Sequence, residues 1–476
     1  MNIRLKNIPY SIIAGDLYKE QGRTFLTALL LGIAILTAAI VLGHKYVAIP
    51  ILVIAPFITF IWRKSHYPWI LMVSMLASSP VYITKQAIQP NLIFAFWLLI
   101  LQPRLLFRLP IWIYVLTCLV LFGFFTSAIN WISDNFVRSL AQQLAYAYSY
   151  LLGPFLLLPV IFSRMEMSRD NSENLRGLLY ALIVPSTLML FLAKKIGTPY
   201  VQKGVFIEGF FSYKLGAVSV SFLRTQVGFI FATLICATTA IVVSKVKLQY
   251  RLLSAACLIL NFILLLSTGS VGSMTSCFCG LAAMFCVQMR MLSISRVLLS
   301  VAVIICMLFL TWELTPDSVK KYLEHHFEER ANQGEKQDRF MLWGRALDQI
   351  VSHPEGVGWT LLVGEGKKSY THNQYLGYSV SYGVIGGIAY VSLTMGLMIY
   401  FFTFRRREVE DHSSYAIILV GLGVCVALAV NSMTDTISPN KWYFTTIWSL
   451  IWYCYFSSRD VHAGKRIGSD TNIFTA

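Results

Sequence analysis

A succession of long apolar runs, separated by short polar loops, constrains this chain more than any other feature of its sequence. An apolar stretch of about 20 residues, folded as an α-helix, is long enough to cross the hydrocarbon core of a bilayer. Hydrophobic residues make up 56% of the 476 residues and charged residues only 13%, more apolar surface than a soluble chain of this length could bury. The sequence therefore predicts an all-α polytopic membrane protein.

The length criterion predicts about 14 transmembrane helices. The candidate spans are residues 24–43, 45–62, 67–84, 90–103, 110–129, 143–163, 177–193, 225–244, 251–267, 271–289, 296–313, 383–404, 414–431 and 442–457. The fourth is short enough to be a re-entrant or broken helix. We expect an N-terminal bundle of about 11 spans over residues 1–313, a large helical loop over 314–382, and a C-terminal region over 383–476 with the last three spans and a tail.

Positive charges alternate between the short loops. The basic loops carry Arg63 and Lys64, Arg104 and Arg108, Arg164, Arg169 and Arg176, Lys245, Lys247 and Arg251, Arg290 and Arg296, and Arg405, Arg406 and Arg407. The short loops between them carry at most one Lys or Arg each. Because cytoplasmic loops are the basic ones, both termini are predicted to be cytoplasmic and the long loops 194–224 and 314–382 to be external. This pattern accounts for the net charge of +16 without a nucleic-acid partner.

The cysteines and carboxylates do not form a recognisable metal site. All nine cysteines lie within apolar runs, where they are more typical of packing than of disulfides. Cys277 and Cys279 are closely spaced, but neither a second pair nor a nearby histidine completes a zinc site. The external loops also lack an Asp-x-Asp cluster. The sequence thus predicts neither a metal nor a cofactor.

The loop 314–382 carries helix signals of its own. Residues 315–329 are predicted to form a helix, because the Thr-Pro pair at their start suits the N-cap and first position. Asp338 can cap a second helix, which His353-Pro354 ends before a tight glycine turn. One apolar face of this second helix is predicted to consist of Phe340, Trp343, Leu347 and Ile350. We expect a helical hairpin that lies on the external membrane surface.

A polar and aromatic segment, residues 371–383, stands directly before the apolar run 384–404. His372 is therefore expected where water meets lipid. Alone, a histidine at such a position is more often an interfacial polar residue than a catalytic one. The tyrosines of this segment fit an aromatic interfacial belt nearly as well as they fit stacking on sugars.

Two motifs in this part of the chain belong together. The first is Arg339-Phe-Met-Leu-Trp343, with Ile350, Pro354, Gly356 and Gly358 after it. The second is His372-Asn373, with Gly383 after nine further residues. In their order and in their position before a span, they resemble the O-antigen ligase and Wzy-type polysaccharide polymerase superfamily. The specific resemblance covers residues 314–440, which include Asp435 in the last external loop, where the family often has an acidic residue.

The chain departs from the family at one position. Many members carry an arginine after a Thr-x-Ser-like turn at the start of a late span, and the matching stretch here, residues 267–272, has Val271 at that place. Part of the usual binding of the anionic group must then come from another residue or be absent. Arg224, which is predicted to be external and directly precedes a span, is our substitute, although an arginine beside a span is more often an anchor at the lipid headgroups.

The resemblance implies a glycosyl transfer outside the cytoplasmic membrane from a glycan on undecaprenyl diphosphate. His372 would be the general base, because histidine can take a proton near neutral pH. Arg339 and Arg224 would bind the diphosphates, since arginine matches phosphate geometry and stays charged. The supporting substrate residues would be Asn373, Tyr375, Gly383 and Asp435. A solvated arginine and a structural cap remain the alternatives for Arg339 and Asp435.

Three functions remain open at this stage. The favoured one is a Wzy-like polymerase of the bacterial inner membrane that joins lipid-linked repeat units in O-antigen or exopolysaccharide biosynthesis. The close rival is an O-antigen ligase that transfers the glycan to the lipid A core. A lipid-linked glycan flippase or transporter is less favoured, because the spans are nearly free of charges and the unusual residues lie in external loops. Membrane lipid, a chain-length regulator and a flippase are the expected partners.

Overall fold

The computed structural model describes residues 57, 90–133, 143–144, 147–163, 171–191, 195–196, 200–202, 205–207, 210–215, 218–268, 270–289, 313, 317, 320–321, 324, 338–358, 362–364, 367–369, 371–403, 411–434 and 442–470. Of the predicted spans, the first three and the eleventh therefore lie essentially outside the described residues. So do most of the predicted helix 315–329 and Asp435.

The described chain is mainly helical. The helices are α1 Pro90–Leu101, α2 Ile111–Ser133, α3 Leu158–Phe162, α4 Asn171–Leu178, α5 Val184–Phe191, α6 Arg224–Val243, α7 Leu248–Thr268, α8 Val271–Met289, α9 Asp338–Ser352, α10 Gln374–Thr403, α11 His412–Thr434 and α12 Trp442–Asp470. Among the described residues, six helices (α2, α6, α7, α8, α10 and α11) are long and apolar enough to cross a membrane. These helices confirm a multi-pass membrane protein and leave the total of 14 spans a prediction.

Two predicted spans are not single regular helices. The span 143–163 contains a wide π-helical stretch, Tyr148–Leu157, that continues into α3. Pro154 lies inside it, and proline cannot donate a backbone hydrogen bond within a helix. The indole Nε1 of Trp452 donates to the Pro154 carbonyl at 2.7 Å, so α12 satisfies part of this irregular backbone. The span 177–193 similarly contains a π-helical turn at Leu179–Ile183, between α4 and α5.

Helices α6 and α11 form the centre of the bundle, because 83% of the residues in the apolar segment of each helix are buried. Close contact between α6, α8 and α11 requires small residues: a Cβ on Gly280 would lie 2.6 Å from the Cys236 sulfur and 2.7 Å from the Gly423 carbonyl oxygen. In contrast, α2 presents an exposed apolar stripe formed by Ile111, Val115, Phe122, Phe125 and Ile129. Such a stripe is typical of a helix at the lipid-facing edge of a bundle.

Short antiparallel strands add to the predicted all-α fold in both long loops. The strands are β1 Lys195–Ile196, β2 Tyr200–Gln202, β3 Val205–Ile207, β4 Phe210–Leu215, β5 Val218–Leu223, β6 Leu362–Gly364 and β7 Lys367–Ser369. They pair as a sheet in the order β1-β4-β5 and as the hairpins β2-β3 and β6-β7. The alternation Val-Ser-Val-Ser in β5 is a strand signal that we did not use. Strand β5 leads directly into α6 at Arg224.

Helix α9 confirms the predicted second helix of the large loop, from Asp338 to the stop before His353-Pro354. On this helix, the four predicted apolar residues share one face. Phe340 and Leu347 are about half exposed (50% and 52%), whereas Ala346 is fully buried. A small side chain lies at the contact because α10 approaches closely there, and a count of large apolar residues cannot detect that.

Candidate functional site

Helix α10 is broken in the middle, at the glycine of the second motif. Tyr382 (φ −124°, ψ 21°) and Gly383 (φ 72°, ψ 176°) leave the helical conformation, and the helix continues beyond them. A break of this kind removes backbone hydrogen bonds from a helix, and an unpaired polar backbone group is costly within a membrane. Partners for this backbone must therefore come from elsewhere in the fold.

The turn 354–358, directly after α9, supplies those partners. The Val357 N–H donates to the Val380 carbonyl and the Gly358 N–H donates to the Ser381 carbonyl, both at 2.9 Å. In return, the Val384 N–H donates to the Pro354 carbonyl at 2.9 Å. Three backbone hydrogen bonds thus join the end of the first motif to the end of the second.

Glycine is required at both sides of this junction. Gly383 and Gly356 have positive φ angles of 72° and 91°, a conformation that residues with a Cβ rarely adopt. A Cβ on Gly383 would also lie 2.6 Å from the Pro354 oxygen. Gly123 of α2 contacts the same place, since a Cβ there would collide with the Tyr382 carbonyl oxygen. The predicted site residue Gly383 therefore has a structural role, as the point where α2, α10 and the turn 354–358 meet.

His372 lies just before α10. The side chain that caps α10 belongs to Asn373, whose Oδ1 accepts the Leu376 N–H at 3.1 Å. The Thr371 hydroxyl binds the backbone of Asn373, with its Oγ1 donating to the Asn373 carbonyl at 2.7 Å. His372, between them, is half-buried and has a positive φ of 49°. The predicted base is therefore held on a tight turn at the helix N-terminus.

Tyr375 is engaged within the protein. Its hydroxyl donates to the Ala429 carbonyl of α11 at 3.2 Å, and its ring lies 5.4 Å from that of Tyr390. The hydrogen bond joins the first turn of α10 to α11, and the ring contact packs Tyr375 against a later turn of α10. Asn373 and Tyr375, both predicted to support the substrate, thus have direct structural roles next to His372.

Helix α9 packs beside the first half of α10. Ala346, Val357 and Val380 form a small buried cluster, with Ile350 and Leu376 packed against it. The Val384 N–H and the Pro354 carbonyl are hydrogen-bonded at the kink. Ile350 and Val380 each precede this pair by about one helical turn, and Ala346 and Leu376 each precede it by about two. The two segments therefore run in broadly the same direction away from the kink.

This shared direction places the two motif residues at the same ends of neighbouring helices. Arg339 is the second residue of α9, and His372 stands two residues before α10. Arg339 also precedes Ala346 by two helical turns, so it lies on the face of α9 that meets α10. Arg339 and His372 therefore both lie at helix ends that point away from the kink.

Arg224 opens α6 next to the turn where the family arginine is missing. The Ser273 hydroxyl donates to the Thr225 carbonyl at 3.0 Å, and Ser270 and Ser273 share a hydrogen bond of 2.8 Å. Val271, the first residue of α8, lies within this turn. The backbone of Arg224 is therefore close to the backbone of Val271, which stands where many family members have their arginine.

The end of α11 connects these two regions. Ala429 accepts the Tyr375 hydroxyl near the start of α10. Five residues later, the Thr434 Oγ1 would lie 3.3 Å from a Cβ on Gly272 in the first turn of α8. Asp435, the next residue, lies outside the described residues. The starts of α6, α8 and α10 and the end of α11 thus lie at one end of the bundle, the end that the loop charges predict to be external.

Sequence reasoning missed a polar cluster at the kink. Asn130 of α2 donates through Nδ2 to Glu355 Oε1 at 2.8 Å and to the Gly356 carbonyl at 2.7 Å. The His353 Nδ1 lies 3.5 Å from the same carboxylate oxygen. The hydrogen bond from Asn130, followed by smaller contributions from the backbone and His353, holds the pKa of Glu355 below its ordinary value. His353 and Glu355, on either side of Pro354, could have indicated a polar cluster, but we used only His353-Pro354, as the end of a helix.

The comparisons with known proteins support the motif analysis. Residues 215–391 match a family model described as O-Antigen ligase. No curated protein sequence matches the chain. A solved structure titled "Structural coordination of polymerization and crosslinking by a peptidoglycan synthase complex" covers 74% of this chain and 97% of its own, at 17% identity and a TM-score of 0.39, too low to carry an argument. Over residues 215–391, this membrane protein is similar to the O-antigen ligase family, which confirms the resemblance that the Arg339 and His372 motifs indicated.

Proposed function

We propose that this protein is an inner-membrane polysaccharide polymerase, a glycosyltransferase that joins repeat units carried on undecaprenyl diphosphate. The observation that carries the proposal is the junction of the two motifs. The turn after α9 is hydrogen-bonded into the kink of α10, and α9 packs beside the first half of α10, the two helices that begin at or just after Arg339 and His372. Family members with these motifs act on lipid-linked glycans, as the match over residues 215–391 implies.

The reaction requires a base at an acceptor hydroxyl and positive charge at a leaving diphosphate. The His372 imidazole takes the proton of the acceptor hydroxyl, whose oxygen forms a bond to the anomeric carbon of the donor glycan. The bond from that carbon to the diphosphate oxygen breaks, and undecaprenyl diphosphate leaves with the electron pair. Arg339 and Arg224 stabilise the charge on the diphosphates. The donor brings its own leaving group, so neither a nucleotide nor a metal has a necessary step.

The turn before α10 suits a positioned base. His372 directly precedes the capping residue Asn373 and has a positive φ of 49°. The Thr371 hydroxyl donates to the Asn373 carbonyl at 2.7 Å, so the backbone on both sides of His372 is hydrogen-bonded in place. General-base catalysis requires a base that is held within hydrogen-bonding reach of the proton it removes.

An O-antigen ligase is the second candidate, because the matching family model carries that description. The donor chemistry and the site residues would be the same, with the lipid A core as the acceptor. In either case, we propose an orientation with both termini cytoplasmic and the site external. A flippase and a chain-length regulator would be the working partners of the polymerase.

The decisive experiment replaces His372 in cells that lack the native gene. Loss of a general base typically lowers a rate by about 10²- to 10⁴-fold, so the His372→Ala variant should abolish the glycan ladder at matched membrane levels. The polymerase predicts that single lipid-linked repeat units accumulate, whereas the ligase predicts long chains that stay on the lipid. His412→Ala, an exposed histidine at the start of α11, is the control and should leave the ladder unchanged. A normal ladder from His372→Ala would exclude this residue as the base.

A further inference from the structure

The cluster of His353, Glu355 and Asn130 at the kink has no task in the reaction described above. Its geometry is specific: Asn130 Nδ2 and His353 Nδ1 approach the same carboxylate oxygen, Glu355 Oε1, at 2.8 Å and 3.5 Å. Asn130 is also fixed by its bond to the Gly356 carbonyl at 2.7 Å. The carboxylate and the imidazole are therefore held side by side on the rigid junction of α2 and α10.

The pair is partly exposed. The side chains of His353 and Glu355 are 40% and 36% exposed. Within the part of the chain that the structure describes, Glu355 has no Lys or Arg partner, and the His353 Nε2 has no hydrogen bond. The Glu355 carboxylate is therefore oriented by the Asn130 amide and remains partly open to solvent.

Glu355 stays ionised at neutral pH. Its pKa is depressed, chiefly by the hydrogen bond from Asn130. The contribution of this hydrogen bond to the free energy of unfolding is therefore fully present above the ordinary glutamate pKa of about 4.3. It is lost only as the pH falls through the lower pKa that Glu355 has in the folded protein. The pair therefore offers a carboxylate, which accepts hydrogen bonds, and beside it an imidazole nitrogen, which can hydrogen-bond a hydroxyl whether it carries a proton or not.

Two adjacent hydrogen-bonding side chains, such as Glu355 and His353, match two adjacent hydroxyl groups of a ligand. A metal ion is a poorer match, because no third His, Cys, Asp or Glu joins these two among the described residues. A sugar presents pairs of hydroxyls on neighbouring carbons, and a hydroxyl bound to a carboxylate forms a strong, charge-assisted hydrogen bond. The exposed side of the junction lies at the end of the bundle that is predicted to be external, where a glycan would be present.

We propose that His353 and Glu355 form a glycan-binding subsite that holds a neighbouring pair of hydroxyls on the lipid-linked substrate. This proposal rests on the proposed function. The subsite lies at the opposite end of α9 from Arg339, and a helix of that length measures about 20 Å. A single sugar cannot reach from one end to the other. The subsite therefore contacts a sugar other than the one bonded to the diphosphate that Arg339 binds, and it contributes to recognition of the repeat unit.

Binding measurements with two lipids test the subsite. The full-length protein in nanodiscs is titrated with the undecaprenyl-diphosphate-linked repeat unit, extracted from cells that lack the native gene, and separately with undecaprenyl diphosphate. Glu355→Gln preserves the shape and the Oε1 that accepts from Asn130 while it removes the charge, and His353→Gln removes the imidazole. Each should weaken binding of the sugar-bearing lipid by about 10- to 100-fold, the cost of losing a charged hydrogen-bond partner, and leave binding of undecaprenyl diphosphate unchanged.

The control is Asp348→Asn, an exposed carboxylate on α9, which should change neither affinity. Unchanged binding of the repeat unit by Glu355→Gln and His353→Gln would overturn the subsite, even if His372→Ala still abolished the ladder. Equal weakening for both lipids would also overturn it and assign the pair to the structure of the junction. If the unaltered protein binds undecaprenyl diphosphate but not the repeat unit, the proposed function fails together with the subsite.

Discussion

At the residue scale, Gly383 illustrates how a motif residue can serve a catalytic segment without touching a substrate. Its positive φ lets α10 break, and its missing side chain lets the Pro354 carbonyl reach the Val384 N–H. The break exposes the carbonyls of Val380 and Ser381, which the turn after α9 then satisfies. The glycine is therefore required by the backbone junction that orients the His372 segment relative to α9.

Replacing Gly383 by alanine should destabilise the protein. With φ 72° and ψ 176°, Gly383 lies in a region that essentially only glycine adopts, where strain costs a residue with a Cβ about 1–3 kcal/mol. A Cβ only 2.6 Å from the Pro354 oxygen adds a collision. We expect a lower melting temperature in detergent and a weak glycan ladder. Gly396→Ala is the matched control in the same helix, because a Cβ at Gly396 would meet nothing within 4 Å. Equal melting temperatures for the two variants would contradict the proposed role of the junction.

At the element scale, α9 is the part of the large loop that is docked on the bundle. Little of this helix is buried against α10: among the residues of α9 whose burial the structure describes, Ala346 alone belongs to the buried core. The hydrogen-bonded turn that follows contributes the more specific connection. The position of Arg339 is thus set by a short helix attached mainly at its C-terminal end.

A test of this element compares two arginines on α9. Arg339→Lys keeps the positive charge but loses the planar guanidinium that binds a phosphate through two parallel hydrogen bonds. If Arg339 binds diphosphate, this variant should lose most polymer at normal protein levels, while Arg345→Lys should behave like the unaltered protein. The readout is the glycan ladder at matched membrane levels. Full activity of both Arg339→Lys and Arg339→Ala would identify Arg339 as a surface residue.

At the scale of the whole molecule, the argument depends on which side of the membrane the site faces. The alternation of basic loops predicts that reporter fusions after Lys247 and Arg407 are cytoplasmic and that a fusion near Glu335 is external. Paired reporters that are active on opposite sides of the membrane provide the measurement. A cytoplasmic result at Glu335 would end the proposed mechanism, because the glycan substrates would then be on the other side.

Local patterns determined much of this protein from the sequence alone. The length and hydrophobicity of the apolar runs identified a multi-pass membrane protein, and α9 ends where His353-Pro354 predicted. The Arg339 and His372 motifs identified the family resemblance. These features depend on neighbours in the chain, so residue order was sufficient. Capping was less certain, because Thr371 and Asn373 are both good N-cap residues and only the folded backbone selects Asn373.

The tertiary structure alone decided which distant segments meet. Asn130 and Glu355 are 225 positions apart, and nothing near either residue indicates their hydrogen bond. The partners of the broken backbone at Gly383 and the docking face of α9 likewise depend on how the helices pack. Such contacts arise from close approach between elements, which small residues permit and large apolar residues do not predict. For this reason, the sequence indicated candidate residues for the site, whereas the packed bundle determined which segments lie together.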